Sequence, residues 1–340
     1  MGGARVTSIQ VAKRAGVSQS AVSRVFTPGA SVSQKTKDKV KKAAEELGYR
    51  PNVLARSLIT GRSRMIGLLV AYLENYFYPE ALEKLSNALQ KKGYHVLVFM
   101  AEKTTGNIDK VLDEILDYQV DGIIMASVDI SSGLAARCQA AGVPVVLFNR
   151  NQDDERLSAV TSDNVAGGRK IADFLIRGGH QRIGYIAGWE GASTQRDREA
   201  GFRRGLAEHD VALYARDSGA FRYEEAQAAA LRMFDRADRP DAVFIANDHM
   251  AFAVMDVLRS ELGLDVPGDV SVVGFDDVPL AAWPAYNLTT VRQRANSMVK
   301  ETVATLLAHI EHRQTTPRRI AIEGPLIVRG SARKPEDWSE

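Results

Sequence analysis

Polar and aromatic side chains collect at the ends of apolar runs, where a parallel α/β sheet presents its binding residues. Asn149 and Arg150 end VPVVLFN, Asn247 and Asp248 end AVFIA, and Asp276 and Asp277 end SVVGF. Thr194 and Arg198 open a helical stretch after WEGAS, with Arg196 between them. Carboxylates and amides accept from vicinal hydroxyls, and arginine donates a planar fork. Aromatic faces for a sugar ring or a base come from Phe77 and Tyr78, in a loop with Asn75 and Tyr76, and from Phe221. This inventory suits reversible binding of a small polar molecule, not bond making. The phosphate loop G-x-x-x-x-G-K-[ST], the elbow G-x-S-x-G and the zinc motif H-E-x-x-H are missing from the sequence. Gly167-Gly168 and Gly178-Gly179 do not build a dinucleotide fingerprint. His309 and His312 form an i,i+3 pair that reads as a solvated helix face, and Cys138, the sole cysteine, as a buried inert thiol. No cofactor or metal is called for.

Each of these residues also has a plainer reading. Asp248 can cap a helix starting at His249, and Asp277 can be a turn residue. Phe221 and Trp283 can be core or interface aromatics, and Tyr76 and Arg196 can face solvent.

A second group sits near the N-terminus. Residues 1–64 hold 13 Lys/Arg against 3 Asp/Glu, a balance of +10; the remainder holds 31 against 39, a balance of −8. A basic head on an acidic body points the head at a polyanion. Within VTSIQVAKRAGVSQSAVSRVF, Thr7 or Ser8 can cap a first helix with an inner stripe of Val11, Ala12 and Ala15. Gly16 allows the tight turn, Val17 plugs the angle, and Ser18 caps a second helix with Ala21, Val22 and Val25 inside. Gln19, Ser20, Ser23 and Arg24 are left outside, on a short helix that suits the major groove. Arg24 can grip guanine and Gln19 can pair with adenine. A third helix, Ser33 to Leu47, carries Lys35, Lys37, Lys39, Lys41 and Lys42 over an apolar face of Val40, Ala43, Ala44 and Leu47. Pro51 breaks it, and Asn52 can cap a further helix of about two turns, marginal unless something packs on it.

AGVSQSAVSRVF followed by GYRPNVLARSL resembles the head and hinge of the lac repressor and purine repressor family. The resemblance makes Gln19, Ser20 and Arg24 base readers, and Thr7, Ser18 and Asn52 contacts to the DNA backbone. It makes Leu58 the residue that wedges a central base step, with Ala55 beside it. Beyond residue 64 it continues through VDGIIMAS, SDNVAGGRKIADFLIRGGHQRIGYIAG, DREAGFRRGL, PDAVFIANDHMAFAVMDVLR, VPGDVSVVGFDDVPLA and LTTVRQ. It implies a small all-α helix-turn-helix head with a hinge helix, and a two-lobed α/β body of the type I periplasmic-binding-protein kind. It also singles out Arg198, Asn247 and Asp276 as the main hydrogen-bonding residues, and Gln293 at a crossover.

The body pattern agrees. Apolar strand runs alternate with amphipathic helices, as in parallel sheets covered on both faces, and the pattern restarts near Ser158–Asp163. A length of 340 residues suits two or three compact units. The expected division is 1–50 for the head and 51–64 for the hinge and linker. One lobe is 65–161 with about 293–322, the other 162–290 with about 323–334. No run of about 18 apolar residues occurs, and the start Met-Gly-Gly-Ala-Arg carries no apolar signal, so a cytoplasmic protein is expected. The expected partners are pseudo-palindromic operator DNA, a second copy of the chain, and a small effector. A sugar or sugar acid acting as inducer is favoured, and a purine-like corepressor stays open, as does a solute-binding protein without a regulatory role.

Overall fold

The computed structural model describes residues 6–27, 29–50, 62–71, 73–101, 108–127, 136–138, 140–152, 155–312, 316–336 and 338. The hinge candidates Asn52, Ala55 and Leu58 lie outside the described residues. The chain divides into two compact units, Met1–Ser63 and Arg64–Glu340.

In the first unit, Ser8–Ala15 (α1), Gln19–Val25 (α2) and Gln34–Leu47 (α3) are helical. Each start is set by a side chain. Thr7 Oγ1 accepts from the Gln10 N–H while Gln10 Oε1 accepts from the Thr7 N–H, a capping box. Ser18 and Ser33 cap the other two. Gly16, at φ 66°, ends α1 in the left-handed region, where a Cβ would be strained. Val11, Ala12, Val22, Val40, Ala43 and Ala44 form the buried core. Its exposed rim is mostly polar, with Ile9 an apolar exception.

Among the described residues, the second unit holds two six-stranded sheets. The first is built from Met65–Val70 (β1), His95–Met100 (β2), Gly122–Ala126 (β3), Val145–Phe148 (β4) and Ser158–Ser162 (β5). The second holds Ile183–Ala187 (β6), Ala215–Ser218 (β7), Ala242–Ile245 (β8), Ser271–Asp276 (β9) and Thr289–Arg292 (β10). Arg319–Ile322 (β11) joins the first sheet and Leu326–Ile327 (β12) the second. Strand orders are β11-β5-β4-β3-β1-β2 and β12-β10-β9-β8-β6-β7. All pairings are parallel except β10 with β12. The chain therefore passes between the sheets three times, after Ser162, Arg292 and Ile322. Central strands β3, β4, β6, β8 and β9 are buried along their whole length, while edge strand β2 is only partly covered.

Among the described residues, the helices that frame these sheets include Phe77–Lys91 (α4), Ile108–Asp117 (α5), Asn164–Arg177 (α6), Ser193–Ala207 (α7), Tyr223–Phe234 (α8), Asp248–Asp256 (α9) and Ala295–His312 (α10). No described helix is long and apolar enough to cross a membrane. Three sequence expectations need correction. Phe77 and Tyr78 do not lie in a loop; they are the first residues of α4, because Asn75 Oδ1 accepts the Phe77 N–H and starts the helix early. Asp248 does not cap a helix at His249; the helix begins at Asp248 and its cap is Asn247. His309 does not belong to a solvated face, because α10 packs on the first sheet and brings His309 Nε2 to 2.9 Å from Ser158 Oγ.

Candidate ligand site and nucleic-acid face

The site is set by how closely α6 and α7 approach. A Cβ on Gly168 would lie 2.2 Å from the Arg198 carbonyl oxygen, and one on Gly201 would lie 2.1 Å from that of Val165. Only glycine allows the two backbones this distance. The contact carries Arg198 inward, leaving its side chain 3% exposed. Its guanidinium carbon sits 3.7 Å from the centre of the Phe275 ring. Nε donates to Asn164 Oδ1 at 2.9 Å, Nη1 to the Ala246 carbonyl at 2.5 Å and Nη2 to Asp276 Oδ1 at 3.2 Å.

Asp276 is the hub. It ends β9 at φ 132° and is followed by Asp277 at φ 57°, two non-glycine residues held at positive φ. Such strain costs on the order of 1–3 kcal/mol per residue and persists where the surroundings over-determine it. Besides Arg198, Asp276 Oδ1 accepts from Gln293 Nε2 at 2.6 Å, and Oδ2 from Asn75 Nδ2 at 3.0 Å. Gln293 is itself fixed by the Ser162 hydroxyl at 2.7 Å. One carboxylate is thus gripped from the first sheet's side, from the second, and from the crossover after β10. A cavity of about 310 Å³ opens beside it, lined by Phe77, Asp276, Arg292, Gln293 and Asn296 among others.

Asp248 lies in the same interior. Its oxygens accept the Thr290 hydroxyl at 2.6 Å and the Val278 N–H at 3.0 Å. Those donors are neutral, so burial, reinforced by the nearby Asp276 charge, raises the Asp248 carboxyl above the usual carboxylate range. Burial pushes Asp276 upward too, opposed by Arg198, Asn75 and Gln293. Asp277 stands outside this group and accepts Arg292 Nε at 2.5 Å and Arg329 Nη2 at 2.7 Å.

The structure brings together three of the residues named from sequence: Arg198, Asp276 and Gln293. Asn247 lies one residue beyond the carbonyl that Arg198 holds, its side chain accepting the Met250 N–H. Tyr78 is buried, with its hydroxyl accepting from Asn149 Nδ2 at 3.1 Å. Phe77 is buried and stacks on Phe148. Thr194 is buried in the first turn of α7. Arg150 lies over the Trp189 ring, and Phe221 packs against the core at φ 61°. Arg196 stays outside, its Nη1 donating to the Gly191 carbonyl. Asn164 was missed as a site residue and Asn75 was noted only as a loop neighbour. Each is an amide near a strand-to-helix junction, Asn75 two residues before α4 and Asn164 the first residue of α6 behind its Asp163 cap, and that was the available signal.

On the head, Gln19, Ser20, Ser23 and Arg24 lie on the open face of α2. Gln19 Nε2 donates to Ser8 Oγ at 3.1 Å and Arg24 Nε to the Ser20 carbonyl at 3.4 Å, so both long side chains are held along this face.

Residues 9–52 match the model for bacterial regulatory proteins of the lacI family, and residues 172–332 that for a periplasmic binding protein-like domain. Over 338 residues the chain is 34% identical to the HTH-type transcriptional regulator CelR of Thermobifida fusca, covering 96% of this chain and 98% of CelR. The chain belongs to the LacI family. This LacI-family regulator is also 31% identical to the repressor PurR of Vibrio vulnificus (strain CMCP6), over 95% of this chain and 98% of PurR. Its fold matches the lac repressor dimer bound to operator and the anti-inducer ONPF, with TM-score 0.88, 27% identity, and 96% and 99% coverage. It matches a CelR–cellobiose complex with TM-score 0.74, 32% identity, and 96% and 100% coverage. A LacI-type DNA-binding head and a two-lobed type I periplasmic-binding-like body thus make up a transcription regulator, not an enzyme.

Proposed function

We propose that this regulator is a repressor whose operator affinity is lowered by a sugar or sugar derivative bound between the two sheets. The observation that carries this reading is the Asp276 carboxylate, which accepts from Asn75, Arg198 and Gln293 at once. Sugar hydroxyls compete for such acceptors and donors. A ligand that replaces one of these bonds changes how firmly the two lobes hold each other. It shifts the operator equilibrium only by its unequal affinity for the two arrangements. Coupling of about 1–3 kcal/mol gives roughly 5- to 150-fold in operator affinity.

Arg198, Asn247, Asp276 and Gln293 are the ligand's main polar contacts in this reading, with Thr194, Arg150 and Phe221 around them. Phe77 and Tyr78 bound the site from behind. Their burial favours a sugar over a purine, since Phe148 already stacks on Phe77. Gln19, Ser20 and Arg24 read bases, and Thr7, Ser18 and Asn52 meet the DNA backbone. Residues 51–64 join the head to the body and carry the signal, with Leu58 as the wedge and Ala55 beside it. Two copies bind a pseudo-palindromic operator in the cytoplasm, as the lac repressor dimer does on its own operator. The CelR–cellobiose complex gives a relative of this chain with a sugar bound.

The test is a thermal-shift screen of the full chain against sugars, sugar acids and nucleobases. A sugar that raises the melting temperature and releases operator DNA supports the reading. A nucleobase that stabilises the protein and tightens operator binding replaces it with corepression.

A further inference from the structure

The loop between β6 and α7 carries Trp189, an aromatic residue that packs into neither hydrophobic core. Trp189 keeps 39% of its surface exposed. Its indole folds back over Gly191, where a Cβ would lie 2.4 Å from the ring. The loop is closed by the Ala192 N–H donating to the Trp189 carbonyl at 3.0 Å, and pinned by the Gly188 N–H donating to the buried Gln195 Oε1 at 2.6 Å. Next to it, the Phe221 ring presses on Gly188, where a Cβ would meet it at 2.2 Å. Ala220 and Phe221 hold φ 49° and 61°, so the backbone is strained to put that ring there. Glycines and backbone strain thus place two aromatic rings at the C-terminal rim of the second sheet, Phe221 packing partly against the core and Trp189 staying partly exposed.

The facing lobe answers this rim. Arg150, two residues past β4, places its guanidinium carbon 5.6 Å from the centre of the Trp189 ring, a cation–π contact that spans the two sheets. Beside it the Asn151 N–H donates to Ser193 Oγ at 2.8 Å. Arg150 Nε and Asn149 Oδ1 are both buried and find no hydrogen-bond partner among the described residues. Asn149 is only 3% exposed and also sits at positive φ. An unmatched buried donor and an unmatched buried acceptor, on consecutive residues, are costly unless something else meets them. The Asp276 hub, by contrast, has its acceptors filled by protein donors.

Resting on the sugar reading above, we propose that Trp189, Arg150 and Asn149 form a second sugar subsite at the rim, so that the effector has at least two linked rings. The inner ring engages the Asp276 hub. The outer ring stacks on Trp189, gives a hydroxyl proton to Asn149 Oδ1 and accepts the Arg150 Nε–H. Stacking rigid aromatic surface on a ring face is the usual way an exposed indole contributes to affinity.

Calorimetry and thermal shift on the full chain test this with paired probes: glucose and cellobiose, galactose and lactose, galacturonate and digalacturonate. One disaccharide is expected to bind at least about tenfold more tightly than its own monosaccharide. Trp189→Ala removes that advantage, Trp189→Phe keeps most of it, and Asp276→Asn weakens both members of the pair. A monosaccharide that binds as tightly as its disaccharide overturns the second subsite while leaving the sugar reading intact. So does an unchanged ratio in Trp189→Ala. If no member of any pair binds, the sugar reading falls and the subsite falls with it.

Discussion

Asn75 and Asp276, 201 positions apart, meet through a 3.0 Å hydrogen bond from the Asn75 amide to Oδ2 of the carboxylate. Asn75 follows β1 of the first sheet and Asp276 ends β9 of the second, so this one bond ties the lobes at the hub that also holds Arg198 and Gln293. Replacing Asn75 by Asp sets a second carboxylate against the first while keeping the acceptor that starts α4. Asn75→Asp is therefore expected to lower the body's melting temperature more than Asn75→Ala does. Thermal unfolding of both variants checks this; equal losses would mean that the bond carries no charge sensitivity.

Asp248 gives the body a pH dependence whose sign can be worked out. Its folded-state carboxyl titrates above the ordinary range because of burial and Asp276. Between the unfolded value and the raised folded value, the native state binds more protons than the unfolded state. Stability then falls as pH rises through that window, and is fully present only below it. Asp248→Asn keeps an oxygen for the Val278 N–H and an amide for the Thr290 hydroxyl. It is expected to flatten the slope of stability against pH between about 4 and 8. Denaturant titrations across that range, in both proteins, supply the comparison.

Gly168→Ala tests how Arg198 is delivered. The added methyl meets the backbone of α7, which cannot swing aside as a side chain would. The helices must separate, at a cost of about 1–3 kcal/mol, and Arg198 is drawn away from Asp276. Both stability and effector affinity are expected to fall. Loss of stability with unchanged affinity would show that Arg198 is held in place by other means.

Much of this was legible before the structure. The strand–helix alternation located both sheets, and apolar runs ending in Asn247 and Asp276 marked strand ends that come together around Arg198. Capping chemistry at Thr7, Ser18 and Gly16 placed the head helices to within a residue. What could not be read was pairing across long separations. Nothing local to Asn75 or Asn164 says that they meet Asp276 and Arg198. A local rule also misplaced the start of α9, since Asn247 and Asp248 are both good caps and only tertiary contacts from Thr290 and Val278 assign the second to the interior.

On the head, Arg24→Ala is expected to weaken binding to the cognate operator about 5- to 150-fold and binding to random DNA far less. A bidentate contact to a base edge is worth about 1–3 kcal/mol and carries the sequence information. Gel-shift titrations on both DNAs at one salt concentration decide it. An equal loss on both would assign Arg24 to phosphate.

Cys138 is buried, and burial pushes its thiol up to about 11 despite the neighbouring Arg137. In the native protein at pH 7 to 8 it is expected to resist a thiol reagent that labels it rapidly in denaturant. Fast labelling of the folded chain would contradict that burial.

The most direct measurement is operator affinity of the full chain, with and without the sugar that gives the largest thermal shift, in the native protein and in Asp276→Asn. The native protein should lose roughly 5- to 150-fold in affinity when the sugar is added. The variant should bind operator as before and ignore the sugar. A variant that releases DNA at the same sugar concentration as the native protein would remove Asp276 from the centre of the switch.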